Sequence, residues 1–279
     1  MKVTFFGTTT LLFDDGKDQI FFDCHFTRPS LAKYIGGRQE TDTVLADELL
    51  KLHKADRLKA IFVSHSHHDH VMDVPYVAKQ TGAQVYGTMS ALNVCRGRDT
   101  DESQLHEFRD GQTYQIGDFS IKVIRSLHSK PNILNNDLGQ TIDEPLPKDA
   151  KLRDYKEGGS YDFIVKNGDK TYIIRPSFNY LEHELDGYTC DVLFLGTGGL
   201  ANADEETLKN FFAETIEKVK PSLVIPLHWD NFFSPLDQPI EGMPRLIEKT
   251  EVAFFRLAIY CEAHDVNCLL QFPRTSIEI

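Results

Sequence analysis

At 279 residues, with 41% hydrophobic and 11% aromatic side chains, the chain carries enough apolar material for one large domain or two small ones, and disorder is excluded. A formal charge of −12 argues against a sequence-independent nucleic-acid binder, which needs cations to neutralise phosphates, and no apolar run reaches the length of a membrane span. Cys24, Cys95, Cys190, Cys261 and Cys268 are scattered with no C-x-x-C, so they read as reduced thiols. The apolar part of the N-terminus is too short for a signal peptide, and a cytoplasmic protein is expected.

Strand candidates come first. Val3–Phe6, Thr10–Phe13 and Gln19–Asp23 are short apolar or β-branched runs, the last two divided by the turn Asp14-Asp15-Gly16. Residues 43–56 read as a helix, with apolar positions at Val44, Leu45, Leu49, Leu50 and Leu52. A strand over Lys59–Ser64 leads into His65-Ser66-His67-His68-Asp69-His70, followed by a helix over Asp73–Thr81 and a strand at Gln84–Tyr86. Gln112–Ile116 and Phe119–Arg125 form a hairpin around Gly117-Asp118, with His128 just past its end. Residues 129–160 are rich in Pro, Asn, Asp and Gly without periodicity, and a loop this long inside a domain is usually functional; it is expected to carry specificity. Tyr161–Val165 and Lys170–Arg175 give a third hairpin. Asp191–Leu195 is a buried-type strand ending in Gly196-Thr197-Gly198-Gly199, Glu205–Lys218 a helix, and Ser222–Pro226 a strand followed by His228. A short helix at 242–249 and mixed strand-helix-strand material complete the chain. Hairpins dominate both halves, with strand–helix alternation laid over them. The expectation is an α+β fold: an αββα four-layer sandwich, one domain over residues 1–279, with a site at the strand ends.

The chemistry is concentrated there. Six residues after one strand hold four of the eleven histidines and one aspartate. His65 and His67 are two apart on an extended segment and project to one side, so they can share an ion. Asp69 and His70 lie past the bend and can face a second ion. His128 would complete the first set and His228 the second. A lone histidine is usually a satisfied core or surface group; the company of the cluster makes these two ligands. Two ions roughly 3.5–4 Å apart polarise a substrate oxygen and supply a nucleophile at neutral pH. Asp69 is the candidate to orient the water and move its proton.

His65-x-His67-x-Asp69-His70, with His128 and His228 following, resembles the metal-site pattern of the metallo-β-lactamase-fold hydrolase superfamily, and the likeness covers nearly the whole chain. Gly7-Thr8-Thr9-Thr10, the strand ending in Asp23, Glu157-Gly158-Gly159-Ser160-Tyr161, Leu195-Gly196-Thr197-Gly198-Gly199 and Ile225-Pro226-Leu227-His228-Trp229-Asp230 are similar to a bacterial branch of it, and more distantly to the ascorbate-phosphate lactonase group. The resemblance implies a metal-dependent hydrolase, with zinc the expected ion and manganese or iron as alternatives. It says little about substrate, because the fold hosts many chemistries.

One departure stands out. Most two-metal members carry a bridging aspartate after the strand that matches Lys170–Arg175; here Ser177 stands in that place, and Asp186 lies too far along. A full first site (His65, His67, His128) and a weaker second site (Asp69, His70, His228) are therefore expected, with the extra positive charge suited to an anionic small molecule. The favoured substrate is a small ester or lactone. The alternatives are a phosphodiester, or a metal-binding sensor with little turnover; a di-iron redox enzyme is disfavoured by the missing carboxylate. Asp23 is expected to support the metal loop, Ser177 and Trp229 to line the pocket, and His68 to face solvent or support the ligands. A structural role is expected for His25. Lys130 and Arg175 are candidate anion binders, more often solvated charges. Asp230, Phe232 and Phe233 are candidate pocket walls. Gly196–Gly199 lacks the lysine of a phosphate loop and reads as close backbone packing near the site.

Overall fold

The computed structural model describes residues 1–131 and 136–279. Strands β1 (Lys2–Gly7), β2 (Thr10–Asp14) and β3 (Gln19–Phe22) form an antiparallel meander, and β4 (Leu58–Phe62), β5 (Gln84–Gly87) and β6 (Leu105–Glu107) extend it in parallel. A second sheet holds β7 (Thr113–Ile116), β8 (Phe119–Ser126), β9 (Ser160–Asn167) and β10 (Lys170–Arg175), antiparallel, then β11 (Val192–Gly196), β12 (Leu223–Leu227) and β13 (Asn267–Cys268), parallel. The last strand, β14 (Thr275–Glu278), returns to pair with β1. Among the described residues the sheets run β14-β1-β2-β3-β4-β5-β6 and β13-β12-β11-β10-β9-β8-β7.

Strand alternation explains the layering. Val3, Phe5, Leu11, Phe13, Ile20 and Phe22 face the second sheet, where they meet Phe163, Tyr172 and Phe194; Phe13 packs edge-on against Tyr172 at 5.4 Å and Phe194 at 5.6 Å. The intervening Phe6, Leu12, Phe21 and Ile61 point the other way. There they pack against α2 (Thr43–Leu52), α4 (Val74–Thr81), α5 (Met89–Arg96) and the buried Ile142, Leu146 and Leu152 of the long loop. On the far side, Ile164, Ile173, Leu193 and Val224 pack under α6 (Glu205–Phe212) and α7 (Thr250–Ala263). The central strands are covered on both faces, so β2, β3 and β11 read as near-continuous apolar runs, while the edge strands β7, β13 and β14 stay largely exposed. The expected αββα sandwich is observed.

Several details differ from expectation. No helix occupies 242–249: Gly242 bridges Asp230, and the Met243 N–H donates to Thr250 Oγ1 at 3.0 Å, so backbone groups needed for a helix are engaged elsewhere, and the helix starts only at Thr250. The predicted helix 205–218 continues beyond α6 as a π-turn over Ala213–Glu217, where Thr215 Oγ1 donates to the Phe211 carbonyl. Helix α1 (Leu31–Gly36), α5 and strand β6 were not anticipated; Ser30 and Thr88 cap the two helices with their side chains. Of the predicted 129–160 loop, residues 132–135 lie outside the described residues. No helix among the described residues is long and apolar enough to cross a membrane.

Candidate metal centre

The carboxyl ends of β1, β3, β4, β8, β10, β11 and β12 point to one edge of the sandwich, and ligands in open α/β sheets bind at that edge. After β4 the chain runs extended through His65 and His67, then turns once in the short helix α3 (His68–Val71). The extended stretch sets the His65 and His67 rings 4.9 Å apart and nearly perpendicular, and His128, two residues past β8, lies 4.8 Å from each. The helical turn swings Asp69 and His70 to the other side, where His228, just past β12, reaches them. The donor atoms of His65, His67 and His128 lie within 4.8 Å of one another, and so do those of Asp69, His70 and His228. The two groups adjoin: the His65 and His70 rings are 3.7 Å apart.

Hydrogen bonds fix which nitrogen each imidazole presents. Asp23 accepts from His70 Nδ1 at 2.7 Å, leaving His70 Nε2 toward Asp69 Oδ2 at 3.6 Å. His128 Nδ1 donates to the Ser129 carbonyl at 3.0 Å, and His65 Nδ1 meets Ser64 Oγ at 3.2 Å. Nε2 of His65 and of His70 is buried without a hydrogen-bond partner. Orphaned buried nitrogens are costly unless a cation takes their lone pairs, so the site fits a metal. Five imidazoles and one carboxylate are the donor set that suits zinc and its first-row neighbours.

The protonation states agree. Burial, with the neighbouring histidines, holds His65 well below the usual imidazole range and brings His128 down to about 3. Burial alone would raise Asp69, yet His70, the hydrogen bond from His228 at 3.2 Å and His68 together hold its carboxyl well below the usual range. At neutral pH the candidate ligands His65 and His128 are neutral and Asp69 is ionised, the forms a metal needs.

The surrounding frame is strained and tightly bonded. Asp23, Thr8 and His228 adopt left-handed φ values of 53°, 53° and 57°. Such outliers persist where neighbours over-determine them, often at functional sites. Asp23 Oδ2 accepts from Thr9 Oγ1 at 2.5 Å and Ser64 Oγ at 2.8 Å, and Oδ1 from the Ser64 N–H at 2.7 Å. The His228 N–H donates to the Thr8 carbonyl, and the Thr8 N–H to Asp230 Oδ1 at 2.8 Å. Asp230 also pairs with Arg28 at 2.5 Å with both side chains buried, so it anchors the His228 loop and does not wall the pocket.

The family description "Beta-lactamase superfamily domain" matches residues 19–229, which is most of the chain. The chain belongs to the beta-lactamase superfamily. Among curated relatives, a UPF0173 metal-dependent hydrolase from Carboxydothermus hydrogenoformans is 25% identical over 238 residues, covering 83% of this chain and 86% of that protein. Among solved structures, the metallo-beta-lactamase fold protein YhfI from Bacillus subtilis superposes with a TM-score of 0.59 at 13% identity, covering 99% of each chain. An isothiocyanate hydrolase from Delia radicum gut bacteria gives 0.61 at 14%, covering 100% of this chain and 99% of that one. The structural likenesses show the fold.

In this superfamily member the two candidate ligand groups open into a cavity of about 1690 Å³. Tyr34, Phe178, Phe232 and Phe233 supply aromatic walls, and Ser177 and Lys130 line it as well. Asp186 is exposed on the surface, paired with Lys218 and His183. Other expectations need correction. Trp229 turns away from this cavity and packs between Phe254 and Phe272, at 5.3 and 5.7 Å, because the residue after His228 faces the opposite side. His68 does not face solvent: it is buried, 5.3 Å from the Tyr34 ring, and burial brings it down to about 4. Arg175 is neither an anion binder nor solvated, being fully buried against Asp162 at 2.6 Å. His25 is buried beside Thr8, as a structural role requires. Gly196 shows the close packing, since a Cβ there would sit 2.1 Å from the Pro176 carbonyl oxygen, whereas one at Gly198 would make only ordinary contact with His228. Sequence reasoning missed Asp137, 3.0 Å from His67 Nε2, because it sits in the aperiodic loop with no motif around it.

Proposed function

We propose that this metal-dependent hydrolase of the metallo-β-lactamase superfamily cleaves a small ester or lactone that carries negative charge, using zinc held by His65, His67 and His128 and by Asp69, His70 and His228. The observation that carries this reading is the pair of adjoining three-donor groups opening into one large cavity. Bound zinc would lower the pKa of water toward neutrality and act as a Lewis acid on the substrate oxygen. The chain's own part falls to Asp69. Its Oδ2 lies against His228 and His70, while Oδ1 is 3.8 Å from His68 Nδ1 and available to accept a proton from the attacking water. Handing that proton to the leaving alkoxide completes the transfer. Phe233 packs edge-on against Tyr34 at 5.6 Å and tilted against Phe232 at 4.4 Å, which gives the acyl part an aromatic wall. Lys130, Arg153 and Lys156 line the side formed by the 129–160 loop, together with Asp137, and offer three cations to an anionic group there. The cavity exceeds the roughly 300–1,000 Å³ usual for small-ligand pockets, so the ester can bear a sizeable substituent.

The test is a panel of esters, lactones, phosphodiesters and isothiocyanates with zinc- and manganese-loaded protein, alongside elemental analysis of the purified chain. Esters or lactones should be turned over, and Asp69→Ala should lower kcat by about 10²–10⁴-fold. Equal activity of wild type and Asp69→Ala on every substrate would sink the hydrolase reading and favour a binding protein, which the serine at position 177 already makes the second reading.

A further inference from the structure

Resting on the reading of His65, His67 and His128 as a metal group, we propose that Asp137 is a positioning residue for it, acting through His67. Asp137 Oδ1 lies 3.0 Å from His67 Nε2, and both side chains are largely buried, at 16% and 13% exposure. An acceptor on Nε2 keeps the proton there and leaves the Nδ1 lone pair for the ion. His67 thus binds through Nδ1 while His65 and His128 present Nε2. A carboxylate behind a metal-bound imidazole orients the ring and makes it a better donor.

The carboxylate also answers the charge question raised by Ser177. The six ligands bring a single carboxylate, Asp69, and the group of three histidines brings none. Asp137 lines the same cavity and places negative charge beside that neutral group from a different loop.

The loop is built to deliver it. The Gln140 N–H donates to the Asp137 carbonyl at 2.9 Å, and the Gly139 N–H to Glu157 Oε2 at 2.8 Å. The Gly158 N–H closes on the Gln140 carbonyl at 2.9 Å. Glu157 in turn accepts the Ser66 N–H on its carbonyl at 2.9 Å, between the two ligands His65 and His67. Glu157-Gly158 therefore holds the Asp137 turn and the histidine loop in one frame.

The experiment is zinc titration against a chromogenic chelator for wild type, Asp137→Ala and Asp137→Asn, with thermal unfolding of the metal-free proteins. Asp137→Ala should weaken one of two zinc ions about 10–100-fold and leave the other unchanged. Asp137→Asn, which keeps an acceptor but loses the charge, should fall between. Metal-free melting should match wild type. Unchanged zinc affinity in Asp137→Ala overturns the assignment. So does a variant that already melts lower without metal and loses both ions together, because that is a general packing role. Wild-type protein that binds no zinc would instead defeat the metal reading beneath it.

Discussion

Asp23 shows how much of the centre rests on residues that never face the cavity. Its carboxylate receives the His70 Nδ1 proton, two hydroxyls and a backbone N–H, and its left-handed backbone is held by an N–H bond to the Phe62 carbonyl at 2.8 Å. Asp23→Ala should free the His70 ring and lower zinc affinity of the Asp69–His70–His228 group about 10–100-fold, measured by the same chelator competition. Retention of both ions at wild-type affinity would show that packing alone orients His70. At this scale the sequence was informative where residue type and spacing carry chemistry. The H-x-H-x-D-H run and the two distant histidines converge as their types demand. Trp229 was misplaced because the side a residue faces after a strand ends depends on backbone turns that residue type does not encode, and Arg175 because its partner Asp162 stands on the neighbouring strand β9, a pairing that the sequence around Arg175 does not record.

Among the elements, the loop over 129–160 decides most. It has no repeating pattern, yet Ile142, Leu146 and Leu152 bury against the first sheet's helices and its turn reaches His67. Gly158 is the hinge of this arrangement. Its φ of +69° is one that side chains rarely adopt, and an added Cβ would stand 2.3 Å from Ser66 Oγ and 2.5 Å from Ser90 Cβ. Gly158→Ala should cost about 1–3 kcal/mol in urea unfolding, with the loop becoming sensitive to protease before the sheets. Unfolding and proteolysis identical to wild type would mean that the loop docks without this contact. Strands and hairpins were legible because alternation and turn residues are local signals. The loss of a helix at 242–249 was not, because a bridge from Gly242 to Asp230 depends on a segment outside that stretch; helix α5 carried a local signal, the cap at Thr88, that the apolar pattern alone does not include.

For the whole molecule, the two sheets bury a common core and expose one edge, and the centre forms only when both sheets present their loops there. Burying His68 at that edge has a consequence for stability. Its folded pKa of about 4 lies below the ordinary imidazole value of 6.5. A group lowered on folding contributes stability above its unfolded pKa and loses it as pH falls through the folded value. The metal-free stability of His68→Phe relative to wild type should therefore rise as pH drops from 6.5 toward 4, read from urea midpoints across that window. Parallel curves for the two proteins would show that His68 charges as readily in the folded state as in the unfolded one.

The sequence by itself determined the layers, the strand-end position of the histidine cluster and the types of the candidate ligands, because apolar alternation and coordinating side chains are properties of short stretches. Only the tertiary structure decided that Asp137 backs His67, that Asp230 anchors the His228 loop through Arg28 and Thr8, and that Trp229 belongs to the packing. Those contacts join residues tens to hundreds of positions apart, and no local pattern records a meeting that exists only once both sheets have closed on each other.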